Sequence, residues 1–123
     1  MAVHLEPIGR ARTPLATPED APRQGFLDDV EGRIELETEY APGLEGVEAG
    51  DELVVVWYAD EADSLVRVDR DGGRGVFTTR SPARPNAVCL TTCPVVAVEG
   101  ATLRVRGVDM ADGSPVLDLK PPL

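Results

Sequence analysis

The densest concentration of usable chemistry lies in Gly75-Val-Phe-Thr-Thr-Arg80-Ser-Pro82-Ala-Arg84-Pro85-Asn86. Two guanidiniums stand four residues apart, with a hydroxyl and an amide beside them. Pro82 and Pro85 fix φ and remove backbone donors, so the segment reads as a stiff, irregular exit from a strand. The planar fork of Arg suits bidentate contact with a carboxylate or phosphate, and a rigid loop presenting such groups has the form of a binding element. Arg-Pro-Asn is equally a good turn sequence, so both readings stand on physics alone. A second loaded stretch is Asp109-Met-Ala-Asp112-Gly113-Ser114-Pro115-Val-Leu-Asp118-Leu-Lys120-Pro121. Asp112-Gly113 signals a tight turn feeding a last strand. Asp118 and Lys120 share a strand face and can pair there, which at a surface is worth little. Two smaller stretches complete the set: the polar loop Pro22-Arg23-Gln24-Gly25, and Trp57-Tyr58-Ala59-Asp60, where a buried strand ends in a carboxylate.

Other chemistries lack their residues. Neither G-x-G-x-x-G after a strand nor G-x-x-x-x-G-K-[ST] occurs, so Rossmann and P-loop nucleotide sites are unsupported. The single His4, near the N-terminus, makes a Ser-His-Asp triad untenable. Cys89 and Cys93 are spaced C-x₃-C. On a strand they would share a face roughly 13 Å apart, too far for a disulfide. With His4 they offer too few ligands for zinc. Two small buried hydrophobes in a reducing cytosol are expected, and no metal.

The chain has 123 residues, one domain's worth, so a single domain over 1–123 is expected. No apolar run approaches the roughly 20 residues of a membrane span and no signal-peptide pattern opens the chain, so a cytoplasmic protein is expected. Lys+Arg number 12 against 22 Asp+Glu, a net charge of -10. Taken alone, that argues against nucleic acid and anionic membranes as partners. Eleven of the basic residues are Arg and one is Lys120. Abundant carboxylates with almost no Lys suit a salt-rich cytoplasm; an acidic protein from a GC-rich genome has the same look. The charge is also segregated. Residues 19–63 hold 15 acidic and two basic side chains, whereas 64–86 hold five Arg (67, 70, 74, 80, 84) against Asp69 and Asp71. The latter reads as the one basic island, either an anion-facing surface or solvated strand faces with local ion pairs.

The elements that must position these residues read as strands. Val3–Ile8 is a candidate first strand, followed by a Pro-punctuated loop. Gly32–Glu39 alternates, with Ile34, Leu36 and Thr38 opposite a wet acidic face. Leu53–Tyr58 (LVVVWY) is a continuous β-branched and aromatic run and should be central. Ser64–Arg70, turning at Asp71-Gly72-Gly73, and Gly75–Thr79 follow. Val95–Val98 and Thr102–Val108 flank Glu99-Gly100-Ala101, and Val116–Leu119 is last. No stretch of 11 residues keeps a helical period. About seven short strands with turns between them indicate an all-β fold, a single small antiparallel β-barrel or sandwich of non-Rossmann type.

Taken in order, Pro7-Ile8-Gly9, Pro22-Arg23-Gln24, the Gly75–Asn86 stretch and the Asp109–Pro121 stretch resemble the TsaA-like family, also called TrmO. Its pattern runs PIG, PRQ, GVFATRSP-x-RPNPIG and DLLDGTPVLDIKPY, and the likeness spans nearly the whole chain. The resemblance implies an S-adenosylmethionine-dependent methyltransferase on a β-barrel, a homodimer with cofactor sites near the subunit interface. The implied substrate is tRNA, methylated at N6 of the threonylcarbamoyl-modified adenosine next to the anticodon. By matching positions, Arg23, Gln24, Ala59, Asp60, Arg80, Leu90, Asp112, Gly113, Ser114 and Pro115 stand where the family contacts its cofactor. Arg84 and Arg74 are assigned to RNA; no general base is identified, and Lys120 is no more than a guess at one. The family's P-N-P-I-G is here Pro85-Asn86-Ala87-Val88-Cys89, and the Tyr of K-P-Y is replaced by Pro122. A methyltransferase for a small molecule or protein, and a non-catalytic cofactor-binding barrel, remain as alternatives.

Overall fold

In a computed structural model, which describes residues 1–15, 30–60, 67–68 (backbone only) and 73–123, the chain closes six antiparallel strands into a barrel. In chain order the strands are β1 (Gly9–Arg12), β2 (Glu31–Leu36), β3 (Glu52–Tyr58), β4 (Arg67–Val68), β5 (Arg74–Gly75), β6 (Val88–Glu99), β7 (Thr102–Arg106) and β8 (Pro115–Lys120). Around the barrel the order is β1-β2-β7-β6-β3-β8, and β4 with β5 forms a separate two-stranded ribbon. The expected all-β, non-Rossmann barrel is therefore what the chain builds.

The alternation of the strands fills the barrel with side chains. Ile34, Val55, Leu103, Val105, Val108, Met110 and Val116 are fully buried in one cluster with Trp57 and Cys93. Each such side chain contributes roughly 1.5–3 kcal/mol relative to remaining exposed. Strand β6 is the long member. It pairs with β3 from Val88 to Pro94 and with β7 from Val95 to Glu99. Pro94, which has no N–H to give, sits where the strand passes from one neighbour to the other, next to a register shift between Val95 and Ala97.

Four expectations about elements need correction. Val3–Ile8 is not a strand: Val3 and Leu5 are exposed, and the first strand is Gly9–Arg12, whose inward residues are only Gly9 and Ala11. Small residues are required there, because a Cβ on Gly9 would lie 2.8 Å from Leu36 Cα and nearer still to the Glu35 carbonyl. Gly75–Thr79 is not a strand either. After Gly75 the chain turns through a 3₁₀ helix, Val76–Thr78, burying Val76 and leaving Phe77 81% exposed. Val95–Val98 is only the end of β6. Finally, Thr38–Leu44 forms a 3₁₀ helix that sends Leu44 into the core.

The pairing divides the connections unequally. At one end, here the loop end, β1, β3 and β7 finish while β2, β6 and β8 begin. Three connections, 13–30, 59–87 and 107–114, leave from that end. The opposite, hairpin end carries residues 37–51 and the tight Gly100-Ala101 turn.

Candidate functional site

The loop end is sutured by its own polar groups. Thr13 Oγ1 donates to the Met110 carbonyl (3.0 Å), the Asp112 N–H to the Leu15 carbonyl (2.7 Å) and the Thr13 N–H to Asp112 Oδ1 (3.0 Å). Gly113, at φ +86°, gives its N–H to the Ala11 carbonyl (2.7 Å) and accepts from Arg10 Nη1 (3.0 Å). A left-handed residue is needed there, which is why Gly follows Asp112. Buried Ser114 donates its hydroxyl to the Ala111 carbonyl (2.7 Å), and Pro115 pairs with Arg10 across β1–β8. The Asp112–Pro115 turn is thus a rigid shelf fastened to β1, with exposed Asp112 at its rim.

The Gly75–Asn86 stretch is knitted in the same manner. Arg84 Nη1 donates to the carbonyls of Thr79 and Ser81 (both 3.1 Å), and Arg74 Nη2 to that of Thr78 (3.1 Å). The Ser81 and Ala83 N–H groups are taken by Thr79 Oγ1 and Ser81 Oγ (both 3.2 Å). Arg84 therefore spends part of its fork holding the loop, while exposed Arg80 has no partner among the described residues. Ala59 is partly buried and donates its N–H to the Ala87 carbonyl (2.9 Å), tying the end of β3 to the start of β6; Asp60 beyond it is exposed. Leu90 lies on the outer face of β6, half exposed, opposite Val56, beside the Tyr58–Val88 pair.

Ala59, Asp60, Arg74, Arg80 and Arg84 thus lie on the connection between β3 and β6 and the Asp112–Pro115 turn on that between β7 and β8, both of which leave from the loop end, while Leu90 lies on the wall near the start of β6. Arg23 and Gln24 lie outside the described residues, as do Arg70 and the side chain of Arg67. Lys120 is at the hairpin end, 2.8 Å from Asp118, whose carboxyl that bond holds below its ordinary range. It is too remote to serve the loop end as a base.

Sequence reasoning passed over a polar chain beneath the rim. Trp57 Nε1 donates to Thr91 Oγ1 (3.0 Å), and the Thr91 hydroxyl donates to Asp109 Oδ1 (2.6 Å). Burial raises the Asp109 carboxyl above its ordinary range, and the Thr91 bond opposes that rise. Two thiols stand beside it. Burial, reinforced by Asp109, pushes Cys93 up to about 12 and Cys89 up to about 11, the Arg84 charge tempering the latter. Both cysteines are free thiols, protonated at neutral pH. Asp109 had a signal in the sequence, three residues before Asp112, but it lies on the 107–114 connection while its partner Thr91 is on β6. Among the described residues no group of three His, Cys, Asp or Glu is arranged to hold a metal, and no helix is long and apolar enough to cross a membrane.

The donor set suits S-adenosylmethionine. By type, Arg80, without a partner among the described residues, matches a carboxylate, the exposed carboxylates Asp60 and Asp112 match an ammonium or a ribose, and half-exposed Leu90 and Tyr58 offer apolar surface.

Comparison with known proteins gives the family. A Halobacterium salinarum protein described as a probable S-adenosyl-L-methionine-binding protein is 54% identical over 123 residues, covering 98% of this chain and 99% of its own. A tRNA (adenine(37)-N6)-methyltransferase of Mus musculus is 60% identical over 47 residues, 38% of this chain and 11% of the mouse protein. The crystal structure of TrmO from Pseudomonas aeruginosa superposes with a TM-score of 0.86 at 31% identity, covering all of this chain and 57% of the other, so this chain spans a little over half of that one. Residues 10–123 match the family described as tRNA-methyltransferase O N-terminal domain, and with the barrel and its near-full-length relatives in agreement, the chain belongs to that family.

Proposed function

We propose that the chain is an S-adenosylmethionine-dependent methyltransferase of tRNA, acting as a single domain over 1–123 and as a homodimer in the cytoplasm. Its target would be N6 of the threonylcarbamoyl-modified adenosine next to the anticodon. The observation that supports the reading is that the connections leaving one end of a barrel of this family carry a fixed Asp-Gly-Ser-Pro shelf, exposed Asp60, and an Arg80 with no partner among the described residues. The names of the relatives supply the cofactor and the acceptor.

When bound, S-adenosylmethionine supplies an already activated methyl group, so the protein's task is alignment and exclusion of water. Arg80 pairs with the cofactor carboxylate, a contact its fork makes bidentately. Asp60 and Asp112 take its amino or ribose groups, and Arg23 and Gln24 belong to the same set by their place in the motif. Arg84 and Arg74 are assigned to tRNA phosphate; the bonds that Arg84 makes to the loop leave its remaining N–H groups for that contact. The homodimer reading rests on the outer wall of β3 and β6, where Tyr58, Val88 and Leu90 form an exposed apolar patch on paired strands. A second reading, a cofactor-binding protein without catalysis, is favoured by one fact: the relative matched over 98% of this chain carries only cofactor binding in its description.

Calorimetric titration with S-adenosylmethionine at low and molar salt, followed by transfer of labelled methyl to bulk tRNA, separates the two. Binding with transfer supports the methyltransferase, binding without transfer to tRNA the second reading. Arg80→Ala abolishes cofactor binding in a folded protein; unchanged binding would refute the site.

A further inference from the structure

The basic island at 64–86 is not the only one. On β1, β2 and β7 the outward residues include Arg10, Arg12, Arg33, Arg104 and Arg106, five of the molecule's eleven arginines, contributed by three separate parts of the chain. Among the described residues, Glu31 and Glu35 of these strands share that face, and Glu99 at the end of β6 reaches it through Arg104. Register aligns the row: Arg12 is directly opposite Arg33, and Arg33 directly opposite Arg104. With strands about 4.8 Å apart, three guanidinium-bearing positions line up across roughly 10 Å. Like charges directly opposite one another are unfavourable in a sheet. Glu35, at 3.1 Å from Arg12 and 3.4 Å from Arg33, with Glu31 at 2.9 Å and Glu99 at 3.9 Å from Arg104, offsets part of this and leaves five Arg against three carboxylates. Arg106 has no partner among the described residues. An open groove of about 410 Å³ lies along the row, lined by Arg12, Arg33, Arg104 and Thr13 together with the carboxylates Glu31 and Asp112.

We infer that this arginine wall is the surface on which a polyanion, the phosphate backbone of tRNA, comes to rest; the inference deepens the proposed function and depends on its tRNA acceptor. Three observations converge. The wall ends at the loop end: Arg10 is bonded to Gly113 of the shelf, and Asp112 borders the groove, so a backbone lying on the wall runs up to the candidate cofactor site. The wall is the half of the ring opposite β6-β3-β8, whose apolar patch is committed elsewhere in the dimer reading. Lastly, the hairpin end is strongly acidic. Residues 37–52 carry six carboxylates and no basic side chain. A molecule of net charge -10 repels tRNA in most orientations, and a net-positive wall set apart from that acidic end admits it in one. Arg is the side chain whose fork fits phosphate oxygens.

The test measures anisotropy of fluorescent bulk tRNA against the full chain from 50 to 300 mM salt, for wild type and Arg33→Gln/Arg106→Gln, with S-adenosylmethionine affinity measured on both. Neither residue belongs to the cofactor set. The expected result is tRNA affinity weakened at least tenfold at 100 mM salt, a log–log salt slope shallower by one to two units, and unaltered cofactor affinity. Equal tRNA affinity, within twofold, and an unchanged slope would overturn the wall. Wild type that binds cofactor but no tRNA would overturn the tRNA acceptor and with it the wall. Poly-glutamate competing as strongly as tRNA would assign the wall to an acidic protein instead, also against the inference.

Discussion

Replacing Thr91 with Val isolates the polar chain beneath the rim. The two side chains have the same shape, so the change removes one hydroxyl and leaves the packing volume nearly intact. That hydroxyl serves two buried groups. Trp57 Nε1–H, on a side chain only 8% exposed, loses its acceptor, and an orphaned buried donor costs about 2 kcal/mol. Asp109 loses a 2.6 Å bond; charge-assisted bonds contribute more than neutral ones, but Asp109 is only partly buried and water replaces much of the loss, leaving about 1 kcal/mol. The sum is about 3 kcal/mol, a large share of the roughly 5–15 kcal/mol that stabilises a domain. Thr91→Ser keeps both bonds and loses one methyl, at about 1 kcal/mol. Urea unfolding followed by the fluorescence of Trp57, the single tryptophan, measures both variants. The pH dependence adds a second reading. Because Asp109 is raised from 3.8 in the folded chain, the native state binds more protons than the unfolded one between 3.8 and its folded value, and stability falls as pH rises through that window. Thr91→Val removes the bond that opposes the rise, so its window extends upward and its deficit is smaller near pH 4 than at pH 7. Val as stable as wild type at pH 7, or Ser as damaging as Val, would refute the reasoning.

Gly9→Ala should cost several kcal/mol, since the added Cβ meets the backbone of Glu35 and Leu36 rather than a yielding side chain; thermal melts showing a loss under 1 kcal/mol would contradict the close approach. Cys89 and Cys93 should react with iodoacetamide far more slowly than a free thiol at pH 8 and accelerate as pH rises toward 10 and above, Cys89 ahead of Cys93, because the thiolate is the nucleophile and theirs is suppressed. Mass spectrometry of each peptide follows the two separately.

The sequence announced its barrel most clearly where side chains are large. LVVVWY could only be a central strand, and Ile34, Leu36, Leu103 and Val105 fall inward as their alternation requires. The first strand escaped because its inward residues are Gly9 and Ala11, chosen for closeness of backbones, and no hydrophobic pattern reports that. Val3 and Leu5 supplied a false alternation upstream. Most of β6 escaped behind Thr, Cys and Pro94, which read as punctuation until two different neighbours are seen to share the strand. Motif matching located the rim residues, since they are local runs on connections. It could not locate Asp109 with Thr91, eighteen residues apart and joined only by pairing, nor a row of arginines drawn from three strands in which each one looks like an ordinary solvent-facing residue.

The division of connections between the two ends bears on how the molecule can be altered. The Gly100-Ala101 turn, with Gly100 at φ +65° and nothing within 4 Å of the position its Cβ would take, projects from the end away from the rim. Inserted segments are tolerated at such exposed tips. A reporter peptide, a purification handle or a tether to a solid surface placed between Gly100 and Ala101 therefore sits at the opposite end from the connections 13–30, 59–87 and 107–114. The barrel offers a place to be held at the end away from the proposed site.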